Sequence, residues 1–177
     1  MSLVLNGNGT IQNLVAGGLP DGSVTADDIA SLPAGSVLQV VHNYSNTSFS
    51  SSTEKTWLNT GVSVNITPAL TSSKVLVFIN AGAYWNTSST FPRVRVAVGR
   101  DGSVFGHQNY AYFDARASGS IYGQQQIPIS VAYLDSPAST STKTYSVYLY
   151  LEPVVSGSVS GWGFEGGADI TAMEIAA

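Results

Sequence analysis

The stretch from Lys74 to Ala83, Lys-Val-Leu-Val-Phe-Ile-Asn-Ala-Gly-Ala, constrains the fold more than any other part of the chain. It is rich in β-branched and aromatic residues, and both of its alternating sets are apolar. Val75, Val77, Ile79 and Ala81 fall on one face, Leu76 and Phe78 on the other, which predicts a central strand covered on both sides. Pro68 and the Thr71-Ser72-Ser73 cluster predict a turn before it. Gly82, followed by Tyr84 and Trp85, marks where the strand leaves the core.

A strand of that kind needs partners, and the composition favours them. Only 10% of the residues are charged, against about 25% in an average domain. Ser and Thr make up more than a fifth of the 177 residues, and 44% are hydrophobic. Disordered chains have the reverse balance, so packed β-structure is expected. The seven Lys and Arg residues are scattered and the net charge is −4, which argues against a nucleic-acid partner, since neutralising phosphates takes clustered cations. With no Cys there is no disulfide framework, Cys-ligated zinc or thiol chemistry. No stretch has the length or apolarity of a membrane span or a signal peptide, so neither membrane insertion nor secretion is expected.

Residues 1–35 differ from the remainder. Leu3-Val4-Leu5 and Thr10-Ile11-Gln12-Asn13-Leu14 flank Asn6-Gly7-Asn8-Gly9 and predict a small hairpin, which is marginal alone. Gly17 to Gly22 is a flexible joint, and Thr25 to Ala30 predicts one capped helical turn. This segment is either a disordered leader or an attachment segment that orders against another protein. The second is the expectation, with Leu3, Val4, Leu5, Ile11 and Leu14 as the attaching side chains.

From residue 36 to 177 short strands follow one another between Gly, Pro, Ser and Asp turns. They are expected at 37–41, 55–58, 62–66, 74–84, 93–98, 104–105, 126–134, 143–151, 159–164 and 169–175, with an irregular aromatic loop over 106–123. With no long helical period, this predicts an all-β antiparallel sandwich or jelly roll behind a short N-terminal segment.

No local motif for catalysis stands out. His42 and His107 fall in different loops without a third ligand at metal spacing. Asp21, Asp27 and Asp28 lack the order of a calcium loop. The carboxylates of the strand half are spread thinly, and nucleophile elbows, phosphate loops and dinucleotide fingerprints are missing. A non-enzyme without metal or cofactor is therefore expected. On the strand from Lys143 to Leu151, Tyr145, Val147, Leu149 and Leu151 share one face while Tyr148 and Tyr150 stand on the other. Aromatic residues on an outer face need a cover, which is either a loop of the same chain or a neighbouring subunit.

Several stretches resemble virion structural proteins of tailed bacteriophages, especially the distal domains of tail or head fibres. They are Pro68 to Val77, Leu134-Asp135-Ser136-Pro137, Thr144-Tyr145-Ser146-Val147 and Ile170-Thr171-Ala172-Met173-Glu174-Ile175, with Gly18 to Val24 similar to the attachment segments of such proteins. The resemblance implies a homotrimeric β-sandwich on a virion, held to other virion proteins by its N-terminal segment and contacting host-surface polysaccharide. Tyr148 and Tyr150 would then be subunit contacts. Trp85, His107, Tyr110, Tyr112 and Tyr122 are the candidates for glycan or receptor contact, because sugar rings pack their apolar faces on aromatic side chains. Only a short segment precedes the domain, which points to a short fibre or spike, or to a capsid decoration protein with a purely structural role.

Removing residues 1–35 should leave the melting midpoint nearly unchanged and abolish incorporation into particles, because a Gly-Gly-Leu-Pro-Asp-Gly joint passes little stability to the domain. Scanning calorimetry of the truncated chain checks the first half, and a large drop would place the segment in the core.

Overall fold

A computed structural model of the chain describes residues 4–5, 11–12, 33–46, 48–87, 92–105, 112–116, 123–153 and 159–177. The chain divides into two compact units, residues 1–33 and 34–177. In the first, β1 (Val4–Leu5) pairs antiparallel with β2 (Ile11–Gln12), Val4 opposite Gln12 and Leu5 opposite Ile11. Leu3, Leu14 and the helical turn expected at Thr25 to Ala30 lie outside the described residues. The second unit begins at Ala34. The Gly35 N–H donates to the Ala176 carbonyl (2.8 Å) and the Ala176 N–H to the Ser36 carbonyl (2.9 Å), which ties residues 35 and 36 to the C-terminal end of the chain.

The second unit is all β among the described residues. Its strands are β3 (Val37–Ser45), β4 (Phe49–Ser51), β5 (Trp57–Ile66), β6 (Lys74–Thr87), β7 (Pro92–Arg100), β8 (Ser103–Val104), β9 (Tyr112–Arg116), β10 (Gly123–Asp135), β11 (Lys143–Pro153) and β12 (Val159–Ile175). Two antiparallel sheets result. One has the order β10-β6-β12-β3 with β4 also on β12, and the other the order β5-β11-β7-β8 with β9 also on β7. They pack face to face as a β-sandwich.

Two pairs of expected strands are single strands with bulges. In β5, Thr60, Gly61 and Val62 stand opposite Val147 alone. The bulge stays tied to its partner because Thr60 Oγ1 donates to the Val147 carbonyl (2.9 Å), while Asn59 Oδ1 accepts the Gly61 N–H (2.9 Å). In β12 the register along β6 jumps between Phe164 and Ala168, so the Glu165-Gly166-Gly167 run bulges and the strand continues. Short-range patterning reads such a bulge as a turn.

The core is one cluster built from the inner faces. The first sheet gives Val75, Val77 and Ile79 of β6, Ile129 and Val131 of β10, and Ile170 and Ala172 of β12. The second gives alternate residues of β5, β7 and β11, among them Ile66, Val96, Tyr145 and Leu149. Burying each of the larger aliphatic side chains contributes about 1.5–3 kcal/mol. Strand β6 is central in its sheet, flanked by β10 and β12. Only one of its faces is fully covered, however: Val75, Val77 and Ile79 are 0% exposed, whereas Leu76 and Phe78 are half-buried. The expected cover on both sides is thus corrected, because β6 belongs to a two-layer sandwich and its other face is the outside of that sandwich.

Polar contacts close the sandwich along its edges. On one side, Gln39 and Asn43 of β3 donate side-chain N–H groups to the carbonyls of Thr67 and Ser63 (both 2.7 Å), bridging the two sheets. On the other, Asp135 at the end of β10 is buried and its Oδ2 accepts from Tyr145 Oη (2.6 Å) and Arg100 Nη1 (2.5 Å). Burial, and then the Asp135 carboxylate that accepts its hydrogen bond, push the Tyr145 phenol far above its ordinary value. It remains a neutral donor at every pH the fold experiences.

Glu174 is the other buried carboxylate, 0% exposed on the inner face of β12. Its Oε1 accepts the Ala69 N–H (2.7 Å) and its Oε2 accepts from Gln39 Nε2 (2.5 Å), so it pins the β5–β6 connection and β3 at once. Burial alone would raise its pKa. The hydrogen bonds, that from Gln39 foremost, outweigh burial and hold the carboxyl below its ordinary value of 4.5.

Glu174→Ala strands these donors without water to replace the carboxylate and should cost about 3 kcal/mol, lowering the melting midpoint by roughly 6–12 °C. Because the folded-state pKa is depressed, this stabilisation is complete above about pH 4.5 and disappears as pH falls through the folded-state value. Denaturant melts from pH 7 to 3 should therefore show the gap between the protein and its Glu174→Ala variant narrowing in that acid window.

Candidate functional site

The two outer faces of the sandwich are unlike. Outside the β5-β11-β7 sheet the protein covers its own aromatic surface. The Tyr148 ring packs against Gly99, where an added Cβ would come within 2.4 Å of the ring, and Tyr148 is only 5% exposed. Its register neighbour Ala97 is fully buried. Tyr150 packs on Trp57, ring centroids 5.2 Å apart, with the Arg95 guanidinium 5.1 Å from its centroid. Tyr148, expected as a subunit contact, is packed within its own sheet in the single chain: glycine at 99 lets the ring sink onto β7, while Tyr150 stays half-buried.

The outer face of the β10-β6-β12-β3 sheet is apolar at one end and polar at the other. Register places Leu134, Leu76, Met173 and Val40 in one row across the four strands. The next row is Ala132, Phe78, Thr171 and His42, and the next Ser130, Asn80, Asp169 and Tyr44. Leu134 is 48% and Val40 53% exposed. Four apolar side chains abreast on an open sheet face is what a covered surface looks like without its cover.

At the polar end lies a shallow pocket of about 570 Å³ that crosses the same four strands. Tyr44, Asn80, Pro128, Ser130 and Asp169 line it, with the backbone bulge at Gly167 beside them. Tyr44 is 57% exposed. Asn80 Nδ2 donates to Asp169 Oδ1 at 3.1 Å, linking β6 to β12. The bulge is shaped by necessity. Gly167 has φ +95°, and a Cβ there would sit 2.3 Å from the Ser45 carbonyl oxygen, so no other residue fits without moving the backbone.

Of the residues singled out from the sequence, Trp85 lies on β6, in register with Gln125 and Trp162, and Tyr112 opens β9 opposite Ala97. His107, Tyr110 and Tyr122 lie outside the described residues. His42 stands on the outer face with Nδ1 2.9 Å from Thr171 Oγ1. No group of three or more His, Asp or Glu that could hold a metal gathers among the described residues. Sequence reasoning passed over the pocket. Tyr44 falls between the strands expected at 37–41 and 55–58, and the signal in the sequence was a polar residue, Asn80, interrupting the apolar run of β6.

No family model matches the sequence, and no curated protein matches it. Among solved structures, the particle of infectious bursal disease virus gives a TM-score of 0.46 at 13% identity, over 90% of this chain and 40% of that one. The structure of the Gx strain of the same virus gives 0.43 at 10% identity, over 88% and 36%. The chain thus spans about two fifths of the length of those proteins. Likenesses of this degree carry no argument about function.

Proposed function

We propose that this chain is a structural protein of a virion, a homotrimeric short fibre or spike domain held to its particle by residues 1–35, and that its subunits meet through the apolar rows outside the β10-β6-β12-β3 sheet. The observation that carries the reading is the apolar row Leu134, Leu76, Met173 and Val40, abreast and uncharged, with Leu134 and Val40 exposed and Leu76 and Met173 half-buried. Copies of a chain with net charge −4 repel wherever carboxylates face one another, and within these rows none do. Contact there buries apolar surface at no electrostatic cost.

The stretches that resemble phage virion proteins support the reading in a second way. Glu174, in the Ile170 to Ile175 stretch, bonds the Ala69 N–H of the Pro68 to Val77 stretch. Asp135, in Leu134 to Pro137, bonds Tyr145 of Thr144 to Val147. The four stretches therefore meet pairwise at the two buried carboxylates. Successive long strands β3, β5, β6, β7, β10, β11 and β12 alternate between the sheets, and we read the winding as a jelly roll. A capsid decoration protein is the second reading. It is favoured by the same apolar face if that face sits on another virion protein.

Light scattering of the full chain should give three times its 18.5 kDa mass. A Val40→Asp, Leu134→Asp double variant should scatter as a monomer that still unfolds cooperatively, since both residues are exposed in the single chain, with a midpoint lowered only by the lost association and no longer dependent on protein concentration. A monomeric parent chain would contradict the homotrimer. Antibody raised against the chain should label intact particles of the virus that encodes it, and unlabelled particles would overturn the virion assignment.

A further inference from the structure

We infer that the pocket at the polar end of the β10-β6-β12-β3 sheet is a binding site for a neutral saccharide, with Tyr44, Asn80, Ser130 and Asp169 as its contacts. The inference is independent of the assembly reading and uses residues other than the aromatic loop singled out from the sequence.

The chemistry follows from which atoms are occupied. A carboxylate only accepts, so the Asn80 amide must turn its NH2 group to Asp169 Oδ1, and its own carbonyl oxygen is then directed away from that carboxylate. Asp169 Oδ2 accepts from none of the described residues. The pocket therefore offers two acceptor oxygens, one from Asn80 and one from Asp169. To these it adds the Ser130 hydroxyl, which donates or accepts. Adjacent acceptors with a hydroxyl beside them match a ligand that carries several O–H groups on one rigid frame.

The remaining surface decides between hydroxyl-rich ligands and others. The half-exposed Tyr44 ring and Pro128 give flat apolar surface, on which the C–H face of a pyranose packs. Among the described residues no Lys or Arg lines the pocket, and the Asp169 carboxylate repels anions, which disfavours sialic and uronic acids. A wholly apolar ligand would leave the polar groups unpaired. The site is open across four strands, wide enough for an oligosaccharide to lie across them: three gaps of about 4.8 Å span roughly 14 Å. One aromatic platform and no deep cleft imply weak single-site binding, which repeated copies on one particle would multiply.

The test is titration of the full isotopically labelled chain by NMR. The panel is glucose, galactose, mannose, N-acetylglucosamine and their β- and α-linked disaccharides, with N-acetylneuraminic acid and putrescine as anionic and cationic comparisons. At least one neutral saccharide should shift the Asn80, Ser130 and Asp169 resonances saturably, with a Kd on the order of 1 mM. Tyr44→Ala and the isosteric Asp169→Asn should each weaken that binding about tenfold or more without changing the melting midpoint. Four results would overturn the inference: no neutral saccharide shifts these resonances, binding survives both substitutions, N-acetylneuraminic acid binds as tightly, or putrescine alone binds.

Discussion

The buried Glu174 carboxylate is the contact on which the arrangement of the strands depends. Side chains alternate with a period of two along β12, so a slip of one residue would bring Glu174 outside and turn Met173 and Ile175 into the core. A slip of two would put Ala172 or Ala176 where the carboxylate stands and leave the Ala69 N–H and the Gln39 amide without an acceptor in a dry site. An apolar residue at 174 would pack yet tolerate such slips. The carboxylate ties the C-terminal strand, the β5–β6 connection and β3 to one register. Asp135, taking hydrogen bonds from Tyr145 and Arg100, does the same at the end of β10.

Those two fixed points leave the sheets with different outsides. Over the β5-β11-β7 sheet the chain completes itself: Ala97, Gly99, Ser146 and Tyr148 are all buried though they face away from the core cluster. Over the β10-β6-β12-β3 sheet it does not, and apolar rows grade into polar ones along β6 from Leu76 to Asn80. A single sheet face thereby carries a sticky half, suited to another protein surface, and a wet half, suited to a small polar ligand.

Much of this was legible in the sequence. The two-residue period of β5, β7 and β11 announced an antiparallel sandwich, and Val75, Val77 and Ile79 are core as their alternation required. Bulges were not legible, because the Glu165-Gly166-Gly167 run and Gly61 look like turns until the partner strand is known. Nor was the outside of β6, since a half-exposed Leu76 and a buried Val77 carry the same hydropathy. The packing of Tyr148 was hidden for a related reason: how far a ring on an outer face is open depends on Gly99, distant in sequence and silent in any local pattern. The pocket was illegible because its contacts come one from each strand and meet only through register.

The central claim, that subunits associate through one particular sheet face, is open to a direct measurement because the chain has no cysteine of its own. Spin labels can be placed singly through Leu134→Cys on the apolar rows and through Asn65→Cys, which is exposed on the outside of the other sheet. Dipolar coupling between subunits in the full-length assembly should be strong for the label at 134 and weak or undetectable for the label at 65. Strong coupling at 65 with none at 134 would contradict the account, because it would put the contact on the face that the chain already covers for itself.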